Sequence, residues 1–190
     1  MKSLIFSLLL IHANATNFLI VRHGETDWNK EKIWQGTIDL SLNETGRSQA
    51  MMLRDQLQNR HFDLCFTSHL IRTIETANIL TNIPNQIDRR LEERSKKLFF
   101  GSPKIYEDSS LVSNRVFECL EEIAKKHPDK EFLIVTHGGV IKQIISDILK
   151  ISPKKGDIEV PNMSTLEITY LDGHWAIVNS SNITYFFSAE

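Results

Sequence analysis

Five prolines and eight glycines in 190 residues are too few for a collagen-like or low-complexity chain. Cysteine is scarcer still. Cys65 and Cys119 are the only two, which rules out a disulfide-dense scaffold. Neither C-x-x-C nor H-E-x-x-H occurs, so no zinc motif is present. No run of Lys or Arg exceeds a pair and the formal net charge is −2, so the basic footprint of a nucleic-acid binder is missing. No uninterrupted apolar stretch approaches the ~20 residues a transmembrane helix needs. What is there is globular in character, 41% hydrophobic and 24% charged, with the length of one domain and enough chain for a full core. The two thiols read as small buried hydrophobes, Cys65 in the apolar run Leu64–Phe66 and Cys119 on a helix. Their spacing establishes no disulfide.

The N-terminus has the three-part layout of a secretory leader: basic Met1-Lys2, an apolar stretch from Leu4 to Ile11, and Ala13-Asn14-Ala15 as an A-x-A cleavage pattern. The reading divides the chain into a leader, residues 1–15, and a folded domain, residues 16–190. A processed product would be periplasmic or secreted, with no membrane association after leader removal. An unprocessed one would be cytoplasmic.

One pattern dominates the rest. Phe18-Leu-Ile-Val-Arg22-His23-Gly24 returns as Phe132-Leu-Ile-Val-Thr136-His137-Gly138. A short apolar run bounded by Gly reads as a buried parallel strand. Two such strands side by side bring His23 and His137 to the carboxyl edge of one sheet, where open α/β sheets bind ligands. Around them, strand and helix signals alternate. Helical spacing marks Ala50, Leu53 and Leu57, with Ser41 or Asn43 as cap. Phe62–Thr67 reads as a strand. Ser68 is the expected N-cap of a helix carrying Leu70, Ile74 and Ala77. Ser109 to His127 and the segment from Val140 to Leu149 are amphipathic helices, and Thr165–Leu171 with Trp175–Val178 forms a hairpin about Asp172-Gly173. This predicts an α/β fold, a three-layer αβα sandwich with a mostly parallel central sheet and a C-terminal β-hairpin.

Two imidazoles and two arginines at one sheet edge suit a phosphoryl group. A phosphate dianion needs positive donors, and Arg supplies them bidentately. A neutral imidazole can attack phosphorus if its other ring nitrogen donates to an acceptor. Arg22 stands beside His23, Arg72 falls in the first turn of a helix, His137 precedes a helix N-terminus, and Leu91-Glu92-Glu93-Arg94 offers a carboxylate.

These motifs, in this order, resemble the histidine phosphatase superfamily, in its branch of small phosphatases and cofactor-dependent phosphoglycerate mutases. The matching text includes Ile20 to Asn29, Gln35-Gly36, Asp39, Leu42, Gly46, Gln49-Ala50, Ser68 to Ala77, Arg90 to Arg94 and Val135 to Ile141. The resemblance implies His23 as nucleophile, Arg22, Arg72 and His137 as a phosphate clamp, Asn29 as a further donor, Glu93 rather than Glu92 as proton donor, and Gln35 and Gly36 as substrate-side residues. It implies a metal-independent phosphomonoesterase working through phosphohistidine on a small metabolite, with no cofactor. The alternatives are a phosphoglycerate mutase and a non-catalytic module that binds phosphorylated ligands.

The chain departs from the family in two places. Where relatives commonly read G-x-W-E-G after the acid, this chain has Lys97-Leu98-Phe99-Phe100-Gly101. The stretch Ser102 to Ser113 holds no arginine pair of the kind that grips the mutases' substrate carboxylate. The segment Lys96–Ser113, with Lys96, Lys97 and Lys104, is expected at the mouth of the site. Oligomeric state has no signal in the sequence.

Overall fold

The computed structural model describes residues 15–97, 105–151 and 158–186. All but the last residue of the expected leader, and most of the departure at 97–101, lie outside them. The elements run β1 (Thr16–Arg22), α1 (Asp27–Lys30), α2 (Glu44–Gln56), β2 (Leu64–Thr67), α3 (Ile71–Leu80), β3 (Asn85–Ile87) and a 3₁₀ turn (Arg89–Leu91). There follow β4 (Lys96–Lys97), β5 (Ile105–Tyr106), α4 (Ser109–Lys126), β6 (Glu131–Thr136), α5 (Gly138–Leu149), β7 (Ile158–Glu159), β8 (Thr165–Leu171), β9 (His174–Ser181) and β10 (Thr184–Tyr185).

The main sheet has the order β3-β2-β6-β1-β8-β9. Its first four strands are parallel, and β8 and β9 complete it as an antiparallel hairpin. The repeated heptads are the two central strands, paired in register: Phe18 with Phe132, Leu19 with Leu133, Ile20 with Ile134, Val21 with Val135 and Arg22 with Thr136. Side chains alternate across a strand, so each apolar run serves both faces. Phe18, Ile20, Phe132 and Ile134 meet Val116 and Leu120 of α4 and Ile141 and Ile144 of α5. Leu19, Val21, Leu133 and Val135 meet Ala50 and Leu53 of α2 and Ala77 and Leu80 of α3. That is the expected three-layer sandwich. A fully buried strand needs this near-continuous apolar run, because neither face meets water.

Of the two expected caps, Asn43 is the one used for α2, its Oδ1 accepting from Gly46 N at 2.8 Å. Ser68, expected to cap α3, does not. That helix starts at Ile71 after Leu70, with no side-chain cap from its own N-cap residue. Asp39 supplies the acceptor from a distance, its Oδ1 taking Ile71 N at 2.7 Å. Among the described residues the Ser68 hydroxyl accepts from the backbone only at Leu70 N, ahead of the helix, and is otherwise engaged by His137 and Thr73. Cys65 and Cys119 are free and buried and belong to the cores on opposite faces of the sheet. Burial pushes the Cys65 thiol up to about 12.

Candidate active site

The carboxyl ends of β1 and β6 open onto a cavity of about 260 Å³, lined by Arg22, His23, Asn29, Gln35, Gly36, Arg72 and Glu93 together with Lys32, Ile33 and Trp34. His23 continues the strand ladder one step past β1, its N–H donating to Thr136 O at 3.0 Å. Beyond it the chain turns under α2 so tightly that backbone meets backbone. A Cβ at Gly24 would stand 2.6 Å from Gly46 O, and one at Gly46 would stand 2.1 Å from Glu25 O. Only a pair of glycines allows that approach. Gly24 N is satisfied by Thr76 Oγ1 at 3.0 Å.

This turn determines the tautomer of His23. Its Nδ1 lies 2.7 Å from Gly24 O. A carbonyl can only accept, so Nδ1 carries the proton and Nε2 keeps a bare lone pair. The ring is 2% exposed. Burial first, then the Arg22 and Arg72 charges, hold its pKa well below 6.5, so the neutral form persists.

The His137 ring stands behind it, centroid to centroid 5.3 Å, at 63°. His137 Nε2 is 2.8 Å from Ser68 Oγ, which is 2.9 Å from Thr73 Oγ1, which reaches Leu70 O at 2.8 Å. The chain ends on a carbonyl, so the protons run one way: Nε2–H to Ser68, Ser68 to Thr73, Thr73 to Leu70. That leaves Nδ1, which is buried and has no hydrogen-bond partner among the described residues. To donate to an anion from Nδ1 the ring must become imidazolium. Burial, then the charge of Arg72, keeps it neutral without one.

Neither Arg22 nor Arg72 has a carboxylate within 4.0 Å among the described residues. Each instead donates to backbone carbonyls, Arg22 Nη1 to Val160 O at 2.5 Å, Arg72 Nη1 to Ile38 O and Nη2 to Gly36 O, both at 2.7 Å. Both Nε atoms are buried without a partner among the described residues. Arg72 is 1% exposed, and burial lowers its pKa to about 10. Glu93, and Asp39 for Arg72, act on the two guanidinium groups only through space, and a buried guanidinium without a paired anion is costly. A bound anion removes that cost.

Asn29 completes the donor set. Its Oδ1 lies 3.2 Å from each of Thr26 N, Thr26 Oγ1 and Asn162 Nδ2. An N–H can only donate, so the amide orientation is determined and the NH₂ group remains for the cavity. The Glu93 carboxylate accepts from Arg94 N at 2.9 Å and from Gly139 N, in the first turn of α5, at 3.3 Å. Glu92 points away and lies 3.8 Å from His69 Nδ1. Gln35 is buried, with Oε1 unpartnered among the described residues. Gly36 has φ +52°, and a Cβ there would strike the Trp34 ring at 2.3 Å. Among the described residues no group of three or more His, Cys, Asp or Glu is placed to hold a metal ion.

The fold therefore brings Arg22, His23, Asn29, Gln35, Gly36, Arg72 and Glu93 to one cavity, with His137 directly behind. Sequence reasoning missed Lys32, Ile33 and Trp34 on the wall and Ser68, Thr76 and Asn162 behind it. Pro161-Asn162-Met163-Ser164 carries only a turn signal, and nothing local ties it to a strand about 140 residues earlier.

The family model of the histidine phosphatase superfamily (branch 1) matches residues 18–107 and 99–183. The chain is 29% identical over 178 residues to the uncharacterized phosphatase PhoE of Bacillus subtilis, covering 85% of this chain and 92% of that protein. It is 27% identical over 208 residues to a metal-independent phosphoserine phosphatase of Arabidopsis thaliana, covering 94% and 86%. Its fold matches that of phosphoserine phosphatase from Entamoeba histolytica, solved with 3-phosphoglyceric acid, with TM-score 0.75 and 21% identity over 88% of this chain and 97% of that one.

Proposed function

Because the chain belongs to the histidine phosphatase superfamily and is a phosphatase, we propose that it hydrolyses phosphomonoesters of small metabolites through a phosphohistidine at His23, without a metal ion. The observation that carries this reading is the His23 tautomer: Nδ1–H is held by Gly24 O, so the bare Nε2 belongs to a ring lining a cavity that Arg22 and Arg72 also line. Arg22, Arg72, the Asn29 amide and a protonated His137 hold the three non-reacting phosphoryl oxygens. Nε2 donates its lone pair to phosphorus. The P–O bond to the alcohol breaks, and the leaving oxygen takes a proton from the Glu93 carboxyl. Water then attacks the phosphohistidine, giving its proton to the Glu93 carboxylate as the N–P bond breaks, and inorganic phosphate leaves. Cations on the clamp take the part a metal plays in other phosphatases. A cavity of about 260 Å³ favours a small substrate, in keeping with relatives named for phosphoserine and glucosyl-3-phosphoglycerate.

His23→Ala is expected to abolish turnover of p-nitrophenyl phosphate and labelling by a ³²P-phosphomonoester, with wild-type activity intact in EDTA. Activity lost to chelator refutes the metal-free scheme, and turnover without labelling of His23 refutes the intermediate.

Export is the second part of the proposal. The A-x-A pattern ends at Ala15 and β1 begins at Thr16, so cleavage spares the first strand. Mass spectrometry of protein from an exporting host is expected to find Thr16 at the N-terminus. An intact Met1 there overturns it.

A further inference from the structure

Four residues that no catalytic motif includes hold the catalytic pair from the far end of the chain. Val160 O accepts Arg22 Nη1 at 2.5 Å. Met163 N donates to Arg22 O at 3.2 Å, and Arg22 N donates to Ser164 O at 3.0 Å. Asn162 Nδ2 lies 2.9 Å from His23 O and 3.2 Å from Asn29 Oδ1. The segment is itself a tight turn, with Ser164 N donating to Pro161 O at 3.1 Å. Met163 holds φ 59° at its third position, a conformation that favours glycine and that a larger side chain keeps only where its surroundings enforce it.

Asn162 stands at the centre of this turn. Both atoms it touches are acceptors: a peptide carbonyl, and an amide oxygen whose identity Thr26 N settles. A single planar NH₂ group supplies both protons. A carboxylate of the same shape has none to give, and a hydroxyl has one. Asn162 does not line the cavity. It reaches the reaction through two groups that do, the nucleophile's own peptide and the phosphate-facing amide.

We propose that Asn162 is a positioning residue of the phosphatase site, a double donor that sets His23 and Asn29 in their working orientations. The inference rests on the hydrolytic reading above. One side of its fork holds the His23–Gly24 peptide, from which the turn to the Nδ1 acceptor Gly24 O departs. The other helps hold Asn29 Oδ1 away from the cavity, so that Nδ2 faces the phosphate.

The test is a double-mutant cycle on the full chain, with p-nitrophenyl phosphate turnover and orthovanadate inhibition as readouts. Asn162→Ala is expected to lower kcat/KM by roughly 10- to 100-fold, the scale of a misplacement near 1 Å, and to weaken vanadate. In an Asn29→Ala background the same change is expected to cost at least ~3-fold less, because one of its two targets is gone. Asn162→Asp keeps shape and volume while removing both donors, and guards against a folding defect in the alanine variant. Its carboxylate beside the His23 peptide is expected to move the acid limb of the kcat/KM profile to higher pH, which reports that position 162 is coupled to the nucleophile. Strictly multiplicative losses in the cycle, wild-type activity in Asn162→Ala, or an unshifted profile in Asn162→Asp overturns the inference. If the wild type hydrolyses the ester and His23→Ala does not, such a result falls on Asn162 alone and leaves the phosphatase reading in place.

Discussion

Replacing Gly139 by alanine moves one group by a known amount. A Cβ there would lie 2.3 Å from Glu93 Oε1 and 3.2 Å from its Cδ. Ordinary contact is about 3.5 Å, so the carboxylate must retreat by ~1 Å. It can do so, because the obstructed atom is the end of a flexible side chain, and the next nearest contact, Arg94 Cβ at 3.6 Å, is relaxed. The fold is therefore spared. Alanine in the first turn of α5 stabilises the helix by up to about 1 kcal/mol over glycine, so the melting temperature stays level or rises. Catalysis is not spared. A ~1 Å error in placing a reacting group costs on the order of 100-fold, and it is felt only where that group is needed. Alkyl phosphates, whose leaving alkoxides demand a proton, should lose 10- to 100-fold in kcat/KM, by the same estimate. p-Nitrophenyl phosphate, whose leaving group departs unassisted, should lose less than about 3-fold, far below the ~10²-fold or more that general acids contribute. The assay is steady-state kinetics on both esters beside a thermal melt. Equal losses on the two substrates would mean that the methyl group disturbs the phosphate clamp, and no loss on either would remove Glu93 from the reaction.

The pH dependence of stability carries a second test. His23 and His137 are both held well below 6.5, burial being the largest cause. The unfolded chain therefore binds protons that the folded one refuses as pH falls through 6.5, and stability is full above that value and lost below it, by at most about 1.4 kcal/mol per pH unit for each ring. Urea melts from pH 7.5 to 5 should show the slope, and the His23→Asn/His137→Asn protein should show a flatter one; an unchanged slope refutes the assignment. Arg72→Lys removes a fork that binds Gly36 O and Ile38 O at once, so kcat should fall by about 10²-fold or more with a higher KM. Near-normal kinetics would show that a point charge suffices. The native protein should leave a thiol reagent such as DTNB unreacted and titrate for both cysteines only in denaturant, given the burial of Cys65 and Cys119. Rapid native labelling would contradict the core assignments.

The sheet was legible because its central strands are buried on both faces and spelled in β-branched and aromatic residues, a signal that survives any context. The helices were legible from their 3.6-residue stripes. Their starts were less so: Ser68 has the chemistry of a cap, but its hydroxyl serves His137 Nε2 while Asp39, 32 residues upstream, caps α3. The same division runs through the site. Arg22, His23, Arg72, Glu93 and His137 stand in motifs beside strand ends, and local sequence points to them. Thr76, and Asn162 on one side of its fork, act through backbone groups of the Arg22–Gly24 corner, and a partner that is only a carbonyl or an N–H leaves no trace in side-chain patterns. The wall of Lys32, Ile33 and Trp34 depends on how a polar loop closes over Arg72, which composition does not encode.

The twin central strands raise a problem of alignment. Sliding one past the other by a single step would turn every side chain to the wrong face, but a slide of two steps would not: Phe would lie against Ile, Leu against Val, all still in oil. Burial barely distinguishes that arrangement from the native one, yet it would part the two rings by ~7 Å and silence the enzyme. What forbids it is polar and sits at the strand ends. The Asp63 carboxylate takes Glu131 N and Thr136 Oγ1 donates to Leu91 O, which fixes β6, while Asn162 Nδ2 donates to His23 O and Gly24 N to Thr76 Oγ1, which fixes the end of β1. The grease holds the sheet together, and a few hydrogen bonds at its margins keep the catalytic alignment. Substitutions such as Asp63→Ala or Thr136→Val, none of them in the cavity, are where a folded but inactive protein should be sought.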